Sequence, residues 1–125
     1  MGSIRLDIEI LGTRKRKLIQ ALFDSGAYSN YMRSKSIYDG ETPDDIGFHV
    51  FEGTRESILA DGRTTTGYMI RFKELNIEGV TIKEPKFLIW ENLTWDAIIG
   101  VEVMQKLGII LDMNSDKILF GKNKK

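Results

Sequence analysis

The chain has 125 residues, 18 basic and 18 acidic side chains, and no cysteine. That length fits one domain with a core of its own, taken here as residues 1–125. Balanced charge argues against nucleic-acid or anionic-membrane partners, and the absence of cysteine excludes disulfides and cysteine-held zinc. No apolar run approaches the ~18 residues of a membrane helix. The charged, alternating start MGSIRLDIEI lacks the apolar centre of a signal peptide, so a cytoplasmic location is expected.

Residues 4–11, IRLDIEIL, alternate apolar and charged, the period of a half-buried strand. A charged turn containing Arg14-Lys15-Arg16-Lys17 follows, then an apolar run over 18–23 that stops at Asp24-Ser25-Gly26. The two runs predict a hairpin that delivers DSG at the end of its second strand. Residues 33–47 are polar, with Gly40, Pro43 and Asp44-Asp45, and read as a surface loop or a short helical excursion. FHVF at 48–51 reads as a strand. Residues 57–60 and 64–72 read as a second hairpin with a tight turn at Asp61-Gly62. Short strands follow at 75–78, 80–82 and 86–90, with Pro85 marking an irregularity or an edge. Residues 96–100, DAIIG, read as a short buried strand closed by glycine. Val101, Met104 and Leu107 then take helical spacing, with Gly108 as the stop. Two last apolar runs, 109–111 and 118–120, flank a turn at Asn114-Ser115.

The two halves echo one another. IEILG, LIQALF and DSG in the first match LNIEG, TIKEPKFLI and DAIIG in the second. Such a pattern suits two copies of one β unit packed about a pseudo-twofold axis.

The DSG triplet has a chemical rationale. Two such aspartates about 3 Å apart cannot both ionise and so share one proton. The ionised partner takes a proton from water, and that water attacks an amide carbonyl. The protonated partner bonds the carbonyl oxygen and then helps the amine leave. Gly26 would let backbone approach and donate N–H to the carboxylates, and Ser25 would lock two loops together through its hydroxyl. Alone, the triplet is also a common turn. The sole histidine, His49, reads as a strand-face residue. The acidic stretch 39–45 lacks EF-hand spacing and reads as a solvated loop, so no metal is expected. RKRK at 14–17 reads as a solvated turn rather than a nucleic-acid contact, and Trp90 and Trp95 as packing residues.

Context strengthens the triplet. ALFDSGAYSNYM resembles the active-site segment of retropepsin-like aspartic proteases, and WDAIIGVEVMQKLGIILD resembles that family's second signature. SILADGRTTTGYMIRF lies between them like a flap, and the resemblance covers residues 4–121. It implies a mainly β protein with one short helix: an acid-protease barrel, one lobe per chain. It further implies an aspartic endopeptidase needing no cofactor, with Asp24, Ser25 and Gly26 catalytic. Ala27 and Tyr28 would bind substrate, with Ala60, Asp61 and Gly62 closing over it and Ile98 and Ile99 bracing the loop and lining subsites. Tyr28 stands where many viral members have an acidic residue, and Val101 where they have arginine. Because the chain has one D-S-G, the resemblance implies a homodimer with Asp24 of each copy at the twofold axis. The alternative is a non-catalytic peptide-binding or dimerisation module on the same fold.

Overall fold

The computed structural model describes residues 3–58 and 64–121. In chain order the strands are β1 (Ser3–Leu11), β2 (Arg16–Asp24), β3 (Tyr31–Arg33), β4 (Val50–Ile58), β5 (Thr64–Arg71), β6 (Glu74–Ile77), β7 (Val80–Lys83), β8 (Lys86–Trp90), β9 (Ala97–Ile99), β10 (Ile109–Asp112) and β11 (Lys117–Phe120). Helix α1 (Pro43–Ile46) precedes β4, and α2 (Val101–Leu107) follows β9.

The period-two pattern explains the first hairpin. Ile4, Ile8 and Ile10 of β1 and Ile19, Ala21 and Phe23 of β2 are buried, and the alternate residues face outward. Ser3 stands opposite Asp24 and Leu11 opposite Arg16, without a slip between. Phe23, Phe72 and Phe87 are fully buried, and the last two meet edge-on with ring centres 5.7 Å apart. Each such side chain stabilises the fold by about 1.5–3 kcal/mol.

One element differs from the pattern read in sequence, and one settles an alternative that the sequence left open. FHVF does not start a strand: β4 begins at Val50, after Gly47 turns the chain at positive φ. The 33–47 segment carries the one-turn helix α1, because Thr42 and Asp45 cap each other reciprocally and Pro43 presets the first helical position.

Nine strands form one sheet in the order β4-β5-β8-β3-β9-β2-β1-β6-β7. The bend at Pro85 makes this possible. Proline cannot donate to a ladder, and the β7–β8 course breaks at Glu84-Pro85 opposite a matching break at Phe72-Lys73. Phe72 N bonds Pro85 O (3.2 Å), Glu84 N bonds Lys73 O (2.9 Å), and Lys73 N bonds Leu11 O (2.8 Å). One long bent hairpin results. Its inner half, β5 with β8, continues the sheet on one side, and its outer half, β6 with β7, returns to pair β6 with β1.

The middle of this order is a palindrome. β2 pairs β9 in parallel, and β8 pairs β3 in parallel. β3 and β9 pair antiparallel between them, while β1 flanks β2 and β5 flanks β8, both antiparallel. Exchanging β1 with β5, β2 with β8 and β3 with β9 leaves every pairing unchanged. This is a pseudo-twofold axis through the β3–β9 pair, but its correspondence is not that of the sequence echo: LNIEG lies in β6, whereas the counterpart of β1 is β5, and the loop 24–30 corresponds to the loop 91–96 rather than to DAIIG.

The basic turn is tied down. Lys15 pairs with Glu41, Lys17 with Asp39 and Glu41, and Arg16 with Glu9 at 3.0 Å. Hydrogen bonding to Lys15 and then Lys17 lowers the Glu41 pKa, and bonding to Lys17 lowers that of Asp39. Burial alone would lower the pKa of Lys17, but its bonds to Asp39 and Glu41 outweigh that and raise it. The sign follows from linkage. A carboxylate whose pKa is depressed on folding stabilises above its unfolded value, and that contribution fades as pH falls toward the depressed one. The stability carried by Asp39 and Glu41 is thus complete near neutrality and lost below about pH 4, while that of Lys17 is lost only in strong alkali. Lys17→Met should unfold at lower temperature than the native chain near neutral pH. The gap should narrow on acidification, as thermal melts at stepped pH would record.

Candidate active site

Strand β2 ends at Asp24, and the DSG loop begins there as a tight turn. Gly26 N donates to Asp24 Oδ1 at 2.8 Å, and Ala27 N to Asp24 O at 3.1 Å. The first bond holds the carboxylate in one orientation. Ser25 and Gly26 are exposed, and Asp24 is half-buried. Asp24 shares the outer face of β2 with Leu22, since Phe23 between them points into the core.

The β9–α2 junction crosses beneath this loop. Val101 N donates to Ala27 O (2.8 Å), and Glu102 N to Tyr28 O (3.0 Å). The first turn of α2 thus clamps the loop through main chain, without the acidic–arginine pair that Tyr28 and Val101 replace. Gly100 makes the crossing possible. A Cβ there would lie 2.4 Å from Ser29 O and 2.6 Å from Tyr28 O, which no real side chain tolerates. Gly100→Ala should therefore cost about 2–3 kcal/mol, seen as a lowered Tm, with displacement of the loop above it.

Asn30 is the residue that sequence reasoning missed. It is 6 % exposed, the one buried polar residue among those described. Its Oδ1 accepts from Gly100 N (3.2 Å), its Nδ2 donates to Lys86 O (3.1 Å), and its carbonyl accepts from Leu88 N (2.9 Å). One amide thereby ties the end of the DSG loop to both β8 and the β9–α2 junction. Its signal was its parity: two residues before the buried Met32, it takes a core-facing position where an apolar residue is ordinary.

The other predicted residues separate by face. Ile98 lies opposite Leu22 on one side and Tyr31 on the other, half-buried, on the face that carries Asp24. Ile99 is fully buried beside Phe23, so it braces the loop from the core. Tyr28 projects from the loop, 65 % exposed. Tyr31 packs on Trp90 with ring centres 4.9 Å apart. Gly67 of β5 presses against the same indole, since a Cβ there would meet Trp90 Cδ1 at 2.5 Å. Ala60, Asp61 and Gly62 lie outside the described residues.

In the corresponding loop 91–96 the only aspartate is Asp96, and it is occupied. It accepts from Ser36 Oγ and from Ile37 N, both at 2.7 Å. Beyond the DSG loop, an open cleft of about 580 Å³ runs between α2 and β10, lined by Ser25, Val101, Met104, Ile109 and Met113 among others. The hairpin β10–β11 beside it forms a separate two-stranded sheet. It is anchored by buried Ile118 but leaves Ile110 55 % and Leu119 44 % exposed.

No protein-family model matches the sequence. No curated protein matches it either. Solved structures do match. The retroviral protease-like domain of Ddi1 from Leishmania major is 16 % identical with a TM-score of 0.59, over 99 % of this chain and 92 % of that one. A retropepsin-like aspartic protease from Rickettsia conorii is 18 % identical with a TM-score of 0.61, over 92 % of this chain and 79 % of that one. Sheet order, the pseudo-twofold axis and these neighbours agree: the chain has the mainly β fold of retropepsin-like aspartic protease domains, one lobe per chain.

Proposed function

We propose that the chain is an aspartic endopeptidase that works as a symmetric homodimer, with Asp24 of each copy meeting at the twofold axis. One observation carries this reading. The lobe has two corresponding loops, one ends a strand with an outward-facing Asp24, and the only aspartate of the other, Asp96, is spent on Ser36 and Ile37. The two corresponding loops of a single copy therefore supply one reactive carboxylate, and the chemistry needs two.

In the dimer the paired carboxylates share a proton. The ionised one removes a proton from a bound water, which attacks the scissile carbonyl carbon. The protonated one bonds the carbonyl oxygen, and on collapse a proton passes to the departing amine. Gly26 N keeps Asp24 oriented through each step. The substrate lies extended across the face that carries Leu22 and Ile98, which favours apolar side chains beside the cut bond. The β4–β5 hairpin, between whose strands Ala60, Asp61 and Gly62 fall in the sequence, acts as the flap that closes over it and excludes water. The exposed apolar edge of β10–β11, next to the cleft that reaches Ser25, is the surface that joins the copies.

Incubating the protein with a mixed peptide library at mildly acidic pH, and mapping new termini by mass spectrometry, tests the reading. Cleavage at apolar pairs, with a rate that rises faster than linearly in protein concentration, is expected. An undigested library at concentrations where sedimentation shows a dimer would instead leave a non-catalytic peptide-binding module.

A further inference from the structure

The outward face of β2 does not end at the cleft. Its side chains run Asp24, Leu22, Gln20, Leu18, and opposite them on β1 stand Ser3, Arg5, Asp7 and Glu9. Leu18 lies six residues from Asp24, about 20 Å at ordinary strand rise. There the face opens into a second groove of about 670 Å³, lined by Asp7, Leu18, Gln20, Ile37, Tyr38 and Trp95 among others. Leu18 is 65 % exposed, Ile37 60 % and Tyr38 91 %. Large apolar groups clustered this way mark a binding surface more often than scattered ones do.

Both walls of the groove are built. On one side, Ile37 N is held by Asp96 Oδ1, Tyr38 N by Ser36 Oγ at 3.2 Å, and Asp39 by Lys17. On the other, Trp95 lies under the Arg5 guanidinium, 5.3 Å from the ring centre. Lys17 and Asp96 are thus committed to the walls, while Asp7 is the lining carboxylate that makes no ion pair among the described residues.

We propose that this groove is a second docking site for the polypeptide being cut, taking a large apolar side chain flanked by a basic one about six residues from the scissile bond. The inference rests on the endopeptidase reading above. Continuity selects this occupant, because the groove and Asp24 share one strand face and an extended peptide advances about 3.3 Å per residue, as the strand does. Charge selects the flanking residue, because Asp7 is the uncommitted ion.

The test compares fluorogenic octapeptides of mixed apolar sequence with the same peptides extended by eight residues that carry an Arg-Leu-Leu-Arg anchor. The extension is placed on the amino side in one set and on the carboxyl side in another. One extended set should show a KM about tenfold lower at unchanged kcat, the worth of one buried leucine. The double variant Leu18→Asp, Tyr38→Ser should lose that gain and cleave octapeptides as the native protein does. Equal KM for long and short peptides, or an advantage that survives in the double variant, would overturn the proposal. So would a change in sedimentation of the double variant, which would assign the groove to a second copy of the chain. Fluorescence anisotropy of the labelled extended peptides on Asp24→Asn protein, with and without the groove substitutions, reads docking without cleavage. Binding that the groove substitutions abolish supports the groove even where no peptide is cut, and binding that they leave intact removes it.

Discussion

Asp24→Asn is expected to abolish peptide cleavage, with kcat/KM down at least a thousandfold, while the lobe keeps its fold and its association. The size follows from the chemistry. An amide can neither accept the proton of the attacking water nor donate one to the carbonyl oxygen, so general acid–base assistance is lost at both steps. Fold is spared because the substitution is isosteric. The side-chain oxygen that accepts from Gly26 N at 2.8 Å survives in asparagine, and the position is only half-buried. Cleavage assays paired with thermal melts check both halves. Retained activity would remove Asp24 from the chemistry, and a collapsed melt would mean that it is structural.

The second large effect belongs to the β10–β11 hairpin. Ile110→Asp with Leu119→Asp should leave a folded lobe that sediments as a monomer at micromolar concentration and cleaves nothing. Both side chains are about half exposed, whereas Ile118 of β11 is buried and holds the hairpin to the lobe. Carboxylates at 110 and 119 therefore meet water within one copy and apolar surface only when two copies join. A symmetric interface would lose four apolar side chains, each already about half buried and so worth about 1 kcal/mol. The dimer dissociation constant should then rise by on the order of a thousandfold or more. A double variant that stays dimeric places the interface elsewhere. A variant that becomes monomeric yet cleaves peptide at the native rate contradicts the need for two carboxylates.

The parts of this molecule that are legible in the sequence are those written in short-range patterns. Alternation in 4–11 dictates β1, since only period two buries Ile4, Ile8 and Ile10 together. Pro85 announces the bend because a proline cannot stay in a ladder, and Gly108 stops α2 where expected. DSG and IIG mark the candidate site because each needs its residue types locally: an outward carboxylate at a strand end, and a glycine where two chain segments touch. What the residues did not announce depends on pairing at long range. Asn30 looks like an ordinary loop amide until Gly100 and Lys86, 70 and 56 positions away, supply its partners. Ile98 and Ile99 are alike as letters, and only the register against Leu22 and Phe23 sends one to the open face and the other to the core. Asp96 is similar: its bonds to Ser36 and Ile37, not its residue type, separate it from Asp24.

The contact of Gly67 with Trp90 has an optical consequence. The indole is held between Tyr31 and the backbone of β5, and its Nε1 is buried with no hydrogen-bond partner among the described residues. Any shift of β5 changes the polarity and quenching around that ring. Trp95, the only other tryptophan, lies beneath a cation at the far groove. The chain therefore carries two tryptophan fluorophores in different surroundings. One is coupled to β5 and the other to the second groove, so emission colour and lifetime can report separately on the two regions without any attached dye.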